Sequence, residues 1–247
     1  MTIQVDAIYV VHGRTGYEEQ EKHINYWLKE KFNLPFEFVS DGDVTLWAEK
    51  DLGTYFENDI FSKLTKGQTS CALNHILCYE RMVQNNNSYA LILEDDAFFC
   101  SNFVEKFNRM IPEMKSLVPS FMISLENTTL RFPPIWHTKK GKYLYEAVDG
   151  RCACAYVIDK EAAQRMLAEL KTNKCAIPVD WWHNEVFKKN LVRSYWAHPT
   201  LVEQGSHNGK MNSTLENRRK NFTMHLKWLM KKSYKMYILR LLRSYVK

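Results

Sequence analysis

Residues 89–96 read Tyr-Ala-Leu-Ile-Leu-Glu-Asp-Asp, an apolar run of strand length that stops flush against three adjacent carboxylates, Glu94, Asp95 and Asp96. Acids crowded at the end of a buried strand are costly unless something positive meets them. In an open α/β sheet the crevice beyond the carboxyl ends of the strands is where ligands sit, so this strand delivers acids to a ligand-binding edge. Carboxylate oxygens suit Mg²⁺ and Mn²⁺, which complete their shells with water and phosphate oxygens. The alternative is an acidic loop capping the helix that follows.

The segments around this run alternate strand and helix. Ala7–Val11 is a short β-branched run that breaks at His12-Gly13-Arg14, and residues 17–31 place Ile24, Trp27 and Leu28 at helical spacing. Residues 36–39 read as a second strand ending in Ser40-Asp41-Gly42-Asp43, and residues 70–82 as a helix with Leu73, Ile76 and Leu77 on its buried side. Three strands separated by helices within the first hundred residues predict an α/β fold with a mostly parallel central sheet. Further strands are expected over 121–125, 153–158 and 192–196, with helices over 159–170, N-capped by Asp159, and from Pro178-Val179-Asp180-Trp181-Trp182 onward.

With 247 residues, 45% of them apolar and 13% aromatic, the chain builds a substantial core and is not a disordered polymer. The formal charge of +6 conceals an asymmetry: beyond Glu216 there are ten cations and no acid, so residues 1–217 are net acidic. Six cysteines form no CxxC pair, and no signal-like segment opens the sequence, so a reduced cytoplasmic chain is expected. No apolar stretch reaches the ~18 residues of a spanning helix.

The order of motifs is more specific than any one of them. Gly67-Gln68-Thr69-Ser70-Cys71-Ala72-Leu73-Asn74-His75 is followed by the acidic run, by Ala155-Tyr156-Val157-Ile158, by Pro178-Val179-Asp180-Trp181, and by His198-Pro199 with Gln204 and Ser206. This succession, over about residues 5–207, resembles glycosyltransferase family 25, which includes bacterial enzymes that add sugars, often galactose, to lipopolysaccharide or lipooligosaccharide. Gln68 stands where that family commonly has Glu, and Asn74 where it commonly has Ser.

The resemblance implies a GT-A-type nucleotide-sugar-binding fold over residues 1–215, a nucleotide-diphosphate sugar donor, with UDP-galactose favoured, and inversion at the anomeric carbon. A divalent Mn²⁺ or Mg²⁺ at Glu94 and Asp96, with His207 as a further ligand, would stabilise the departing diphosphate. Side chains alternate along an extended segment, so Asp95 faces away from that pair and is expected to hold a donor group. His12, Arg14, Asp41, Gln68, Ser70, Cys71 and His75 are the other expected donor-binding residues. Asp41-Gly42-Asp43 is a literal Asp-x-Asp and competes with the acidic run for the metal, a plain turn being its simpler reading.

Inverting transfer also needs a general base for the acceptor hydroxyl. Asp180, after a proline and before two tryptophans, is the expected base, with capping of its own helix as the alternative role. The acceptor implied is a glycan or glycolipid of the bacterial surface.

Residues 216–247 form a basic tail in which Tyr234, Ile238, Leu241 and Tyr245 fall on one side of a helix, and Lys232, Met236, Arg240, Arg243 and Lys247 largely on the other. This is the pattern of a helix lying on an anionic membrane, here the cytoplasmic face of the inner membrane, or of one whose apolar face docks on the domain. No recognition motif accompanies the charge, so nucleic acid is not an expected partner. Two other functions compete: a non-catalytic protein of the same fold that docks to membrane, and a sugar nucleotidyltransferase. The latter would need a glycine-rich basic loop, of which His12-Gly13-Arg14-Thr15-Gly16 is only a faint echo.

Overall fold

A computed structural model describes residues 2–212 and 221–242. In chain order the elements are β1 (Ala7–Val11), α1 (Glu18–Asn25, prolonged by a wider turn over Tyr26–Lys31), β2 (Glu37–Val39), the short α2 (Glu49–Leu52) and α3 (Ile60–Lys63), α4 (Lys66–Gln84), β3 (Tyr89–Glu94), β4 (Ala97–Phe99), α5 (Phe103–Lys115) and β5 (Phe121–Ser124). There follow β6 (Leu144–Ala147), β7 (Ala155–Asp159), α6 (Lys160–Thr172), α7 (Val179–Lys188), β8 (Arg193–Ala197), β9 (Val202–Gln204), α8 (Gly205–Asn208) and α9 (Phe222–Tyr234), the last continuing through Lys235–Leu239 and Arg240–Leu242.

Seven strands form one sheet in the order β2-β1-β3-β7-β5-β8-β6. β2, β1, β3, β5 and β8 run one way, and β7 and β6 run the other. The sheet is therefore mostly parallel, as the alternation of strand and helix predicts. Its two reversals let β7 bring its first residues, rather than its last, to the edge where β3 ends. A separate ribbon pairs β4 with β9 and places Ala97 opposite Gln204.

Alternate residues of the central strands feed two cores, as the two-residue strand period demands. Tyr9, Val11, Ile92, Tyr156 and Ile158 join the inner faces of α4, α6 and α7. Ile8, Val10, Leu91, Leu93 and Val157 join α1 and α5 on the other face. The sheet is thus a filling between two helical layers, with its carboxyl edge left open. α5 lies in a stretch to which the sequence reading assigns no element, although Phe103, Phe107, Met110, Ile111 and Met114 form its buried stripe at helical spacing. Each such side chain contributes about 1.5–3 kcal/mol of apolar burial.

Three helix starts show why the chain turns where it does. Thr65 accepts from Gln68 N, and Gln68 Oε1 accepts from Thr65 N at 3.0 Å, a reciprocal capping box at the start of α4. Asp159 accepts from Ala162 N at the start of α6, as expected, and also from Ser120 N and Phe121 N, pinning β7 to β5. Pro178, not Asp180, is the N-cap of α7.

The tail docks by its charged side, the reverse of what the apolar-docking alternative requires. Lys232 pairs with Glu203, Lys235 Nζ donates to Thr129 O at 3.1 Å, and Arg240 Nε donates to Pro133 O at 2.6 Å. Tyr234, Ile238 and Leu241 face outward with Phe222, Leu226, Leu229, Met230 and Tyr237. Arg218, Arg219, Lys220, Arg243, Tyr245 and Lys247, and the expected boundary at 215/216, lie outside the described residues. Among the described residues, no helix is long and apolar enough to cross a membrane.

Candidate active site

A cleft of about 300 Å³ opens at the carboxyl edge of β1 and β3. The loop after β1 (His12–Thr15) forms one wall, the loop after β2 with Asp43 and Thr45 another, and the first turns of α4 with Lys66, Gly67, Ser70, Cys71 and Asn74 a third. Its floor is Glu94, Asp95 and Asp96, closed off by Gln204, Ser206 and Asn212. The size suits a small ligand.

The three acids have separate surroundings. Asp95 Oδ2 lies 2.7 Å from His12 Nδ1. Burial raises its carboxyl, and the His12 contact and the Gly13 N–H counteract this. Asp96 accepts from Ser206 N at 3.0 Å and has Cys154 Sγ at 3.6 Å from Oδ1. Burial, followed by the charge of Glu94, pushes Asp96 up to about 7. Glu94 Oε2 accepts from Gln204 Nε2 at 2.9 Å, while Oε1 faces His75 and Cys71.

Glu94, Asp96 and Cys154 lie close enough to share one ion. Among the described residues no Lys or Arg forms an ion pair with Glu94, Asp95 or Asp96. Two carboxylates pressed together with no cationic side chain paired to either of them fit a hard divalent cation, Mg²⁺ or Mn²⁺. Glu94 and Asp96 would be its ligands, with Asp95 turned to His12 as strand alternation predicts. His207 follows Ser206 on α8 but belongs neither to this group nor to the cleft lining, so the geometry does not bring it to the metal position.

Asp180 stands on the first turn of α7. Burial and then Glu94 raise its carboxyl, opposed by the N–H groups of Trp181 and Asp180 and by His75. It is therefore in electrostatic reach of the acids without lining the cleft itself, beside the 63% exposed Trp181. The loop over Thr128–Lys142 presents Ile135 and Trp136 to solvent.

Of the expected donor-binding residues, His12, Arg14, Ser70, Cys71 and Asp95 line the cleft, and Asp41, Gln68 and His75 do not. Asp41 is neutralised from outside, by Arg14 Nη2 at 3.1 Å and by Arg81. Its neighbour Asp43 accepts from Thr45 N at 3.0 Å, which makes the literal Asp-x-Asp a turn and not a metal pair. Gln68 turns back to the capping box, and the fully buried His75 sits behind Glu94. Cys154, Gln204 and Ser206 also reach the acids, with no local sequence signal that marks them as site residues. Only the tertiary pairing of β4 with β9 and the reversal of β7 bring them to the acids.

The model of a family described as "Glycosyltransferase family 25 (LPS biosynthesis protein)" matches residues 17–182. A Haemophilus influenzae protein described as "Lipooligosaccharide biosynthesis protein lic2B" is 25% identical over 232 residues, covering 87% of this chain and 83% of that one. A "Glycosyltransferase 25 family member" of Anopheles gambiae is 27% identical over 204 residues, 79% of this chain and 34% of that longer one. A solved structure titled "Crystal structure of a glycosyltransferase involved in the glycosylation of the major capsid of PBCV-1" aligns with 89% of this chain and 99% of that one, at 9% identity and a TM-score of 0.43.

Proposed function

Because the chain belongs to glycosyltransferase family 25, its family model covering residues 17–182, we propose that it moves a hexose, galactose first among the options, from a nucleotide-diphosphate sugar such as UDP-galactose to a hydroxyl of a bacterial surface glycan such as lipooligosaccharide core, with inversion. The observation that carries this reading is the acidic floor of the cleft, where Glu94 and Asp96 converge below walls built from the loop after β1 and the start of α4.

A divalent Mn²⁺ or Mg²⁺ held by Glu94 and Asp96 would stabilise negative charge on the departing diphosphate. Gln204 fixes one oxygen of Glu94, and the Ser206 N–H fixes one oxygen of Asp96, so both acids are oriented before any ligand arrives. His12, held by Asp95, and Arg14 offer donors to the nucleotide from the wall opposite α4. Asp180, whose carboxyl burial makes more basic, takes the proton of the acceptor hydroxyl as that oxygen attacks the anomeric carbon and the nucleotide phosphate leaves with the bonding pair. Trp181, Trp136 and Ile135 supply apolar surface for a sugar acceptor.

The tail belongs to the same reading. Its outward apolar stripe, with Lys227 and Lys231 also exposed, suits the anionic cytoplasmic face of the inner membrane, where a lipid-linked acceptor is found.

The test is a calorimetric titration of UDP, UDP-galactose and UDP-glucose with and without Mn²⁺, repeated on Asp96→Ala. Metal-dependent binding lost in the variant is the expected result. Failure to bind any nucleotide diphosphate under either condition overturns the reading.

A further inference from the structure

Behind the cleft floor, His75 carries a buried ring nitrogen without a hydrogen bond. Its side chain is fully buried, and Nε2 has no hydrogen-bond partner. An unmet buried nitrogen costs on the order of 1–3 kcal/mol, so its retention calls for a reason. Nε2 lies 3.5 Å from Glu94 Oε1, and the same oxygen lies 3.8 Å from Cys71 Sγ. All three atoms fall within 4.8 Å of one another. Cys71 and His75 are one turn apart on α4, which sets both on the face turned to β3.

We propose that Cys71, His75 and Glu94 form a three-ligand site for Zn²⁺, with its fourth position open to the cleft. Zinc binds sulfur at about 2.3 Å and nitrogen or oxygen at about 2.0–2.2 Å, and in a tetrahedron those bonds hold ligand atoms roughly 3.4–3.6 Å apart. The two edges that meet at Glu94 Oε1, 3.5 Å to His75 Nε2 and 3.8 Å to Cys71 Sγ, are close to those values, and the Cys71–His75 edge lies within 4.8 Å. A thiolate, a neutral imidazole and one carboxylate around Zn²⁺ sum to zero charge, the least costly state for a buried ion. Binding transfers the Cys71 thiol proton to solvent, so one proton is released per cation.

The surroundings are those of a supported ligand. His75 Nδ1 meets Tyr156 Oη at 2.8 Å, Tyr156 Oη meets Tyr79 Oη at 2.8 Å, and Tyr79 Oη meets His183 Nε2 at 2.8 Å. With His75 Nδ1–H donating to Tyr156, Tyr156 to Tyr79, and Tyr79 to a neutral His183, each of the three contacts has one donor and one acceptor, and Nε2 keeps its lone pair toward Glu94. Burial lowers the basicity of His183, which keeps it in that neutral, accepting form. A metal-bound histidine fixed through its other nitrogen is the usual second layer of a metal site. Cys71 and Glu94 line the cleft and give the cation its way in.

This site differs from the hard-metal position at Asp96 in ligand chemistry and shares only Glu94 with it. The ligand set stands on geometry alone; its consequence, competition by Zn²⁺ with Mn²⁺ for Glu94, rests on the donor-metal reading above. The test uses the full chain, stripped of metal and titrated with Co²⁺, whose bond to a thiolate gives a near-ultraviolet charge-transfer band. A saturable band is expected in the native protein, absent in Cys71→Ser, kept in Cys154→Ser, and displaced by Zn²⁺. In Tyr156→Phe, which leaves all three ligands in place, affinity should fall by at least ~10-fold.

Should Cys71→Ser not fold, alkylation of the native protein, mapped by mass spectrometry, asks the same question: Zn²⁺ should shield Cys71 and not Cys100. Absence of any thiolate band, or a band that survives in Cys71→Ser and vanishes in Cys154→Ser, overturns the proposal. Nucleotide binding with Mn²⁺, measured on the same preparation, separates failure of this site from failure of the transferase reading.

Discussion

His12 Nδ1 and Asp95 Oδ2 lie 2.7 Å apart, joining the loop after β1 to the acidic end of β3 across the floor of the cleft. On the proposed reading Asp95 organises the nucleotide wall, while Glu94 and Asp96 are left for a cation. Asp95→Ala should weaken UDP binding by about 10-fold, the 1–3 kcal/mol of a severed buried hydrogen bond, and change Mn²⁺ affinity by less than about three-fold. Calorimetry with each ligand alone checks this, and equal loss of both would contradict the division of labour.

Asp96 gives the metal-free protein a pH dependence of definite sign. Its carboxyl is raised from the ordinary 3.8 to about 7, so the protonated form is the one the fold favours. That contribution is complete below about pH 4 and is lost as pH rises through 7, an effect of up to about 4 kcal/mol. The metal-free melting temperature should fall between pH 5 and 8. Asp96→Asn should flatten that fall, raise the melting temperature at pH 8, and abolish the stabilisation that Mn²⁺ gives the native chain.

In the proposed mechanism Asp180 acts on the acceptor and not on the donor. Asp180→Asn should lower kcat by about 10²–10⁴-fold while leaving donor affinity within about two-fold. A single-turnover assay with saturating UDP-galactose and a lipooligosaccharide core acceptor measures it. Loss of donor affinity without loss of kcat would move Asp180 out of the base role.

The outward stripe of the tail should govern partition onto membranes without governing stability. Leu226→Ser and Ile238→Ser each remove on the order of 1–2 kcal/mol of burial in lipid, about 10-fold in partition onto vesicles rich in phosphatidylglycerol. Both side chains are about half exposed, so the melting temperature should stay nearly constant. Unchanged sedimentation with vesicles would exclude the membrane role.

Local chemistry made much of this molecule readable. β1, β3 and the start of α6 announce themselves through β-branched runs, the abrupt acids and the Asp159 cap, because each depends on residues a few positions apart. The site was less readable wherever contacts cross the chain. Gln68 occupies a family position expected at the donor, yet the nearer claim of Thr65 N wins its side chain. Asp41 has the spacing of a metal ligand, but Arg81, forty residues on, takes its charge. Which side of the tail faces the body was also beyond helical periodicity, since Glu203 and the carbonyls of Thr129 and Pro133 decide it.

The reversal of β7 and β6 has a consequence for how such a chain can diversify. Because β5 and β8 end where β6 and β7 begin, the connection over residues 125–143, the approach to Ala155 and the turn at His198-Pro199 all gather at the open edge of the sheet. Length changes in the solvent-facing part of the first, residues 135–142, would alter the rim at that edge without removing the buried Leu125, Leu130 and Phe132. On the transferase reading, acceptor preference could then change without refolding, and exchange of residues 135–142 between related chains is the economical route to new linkages.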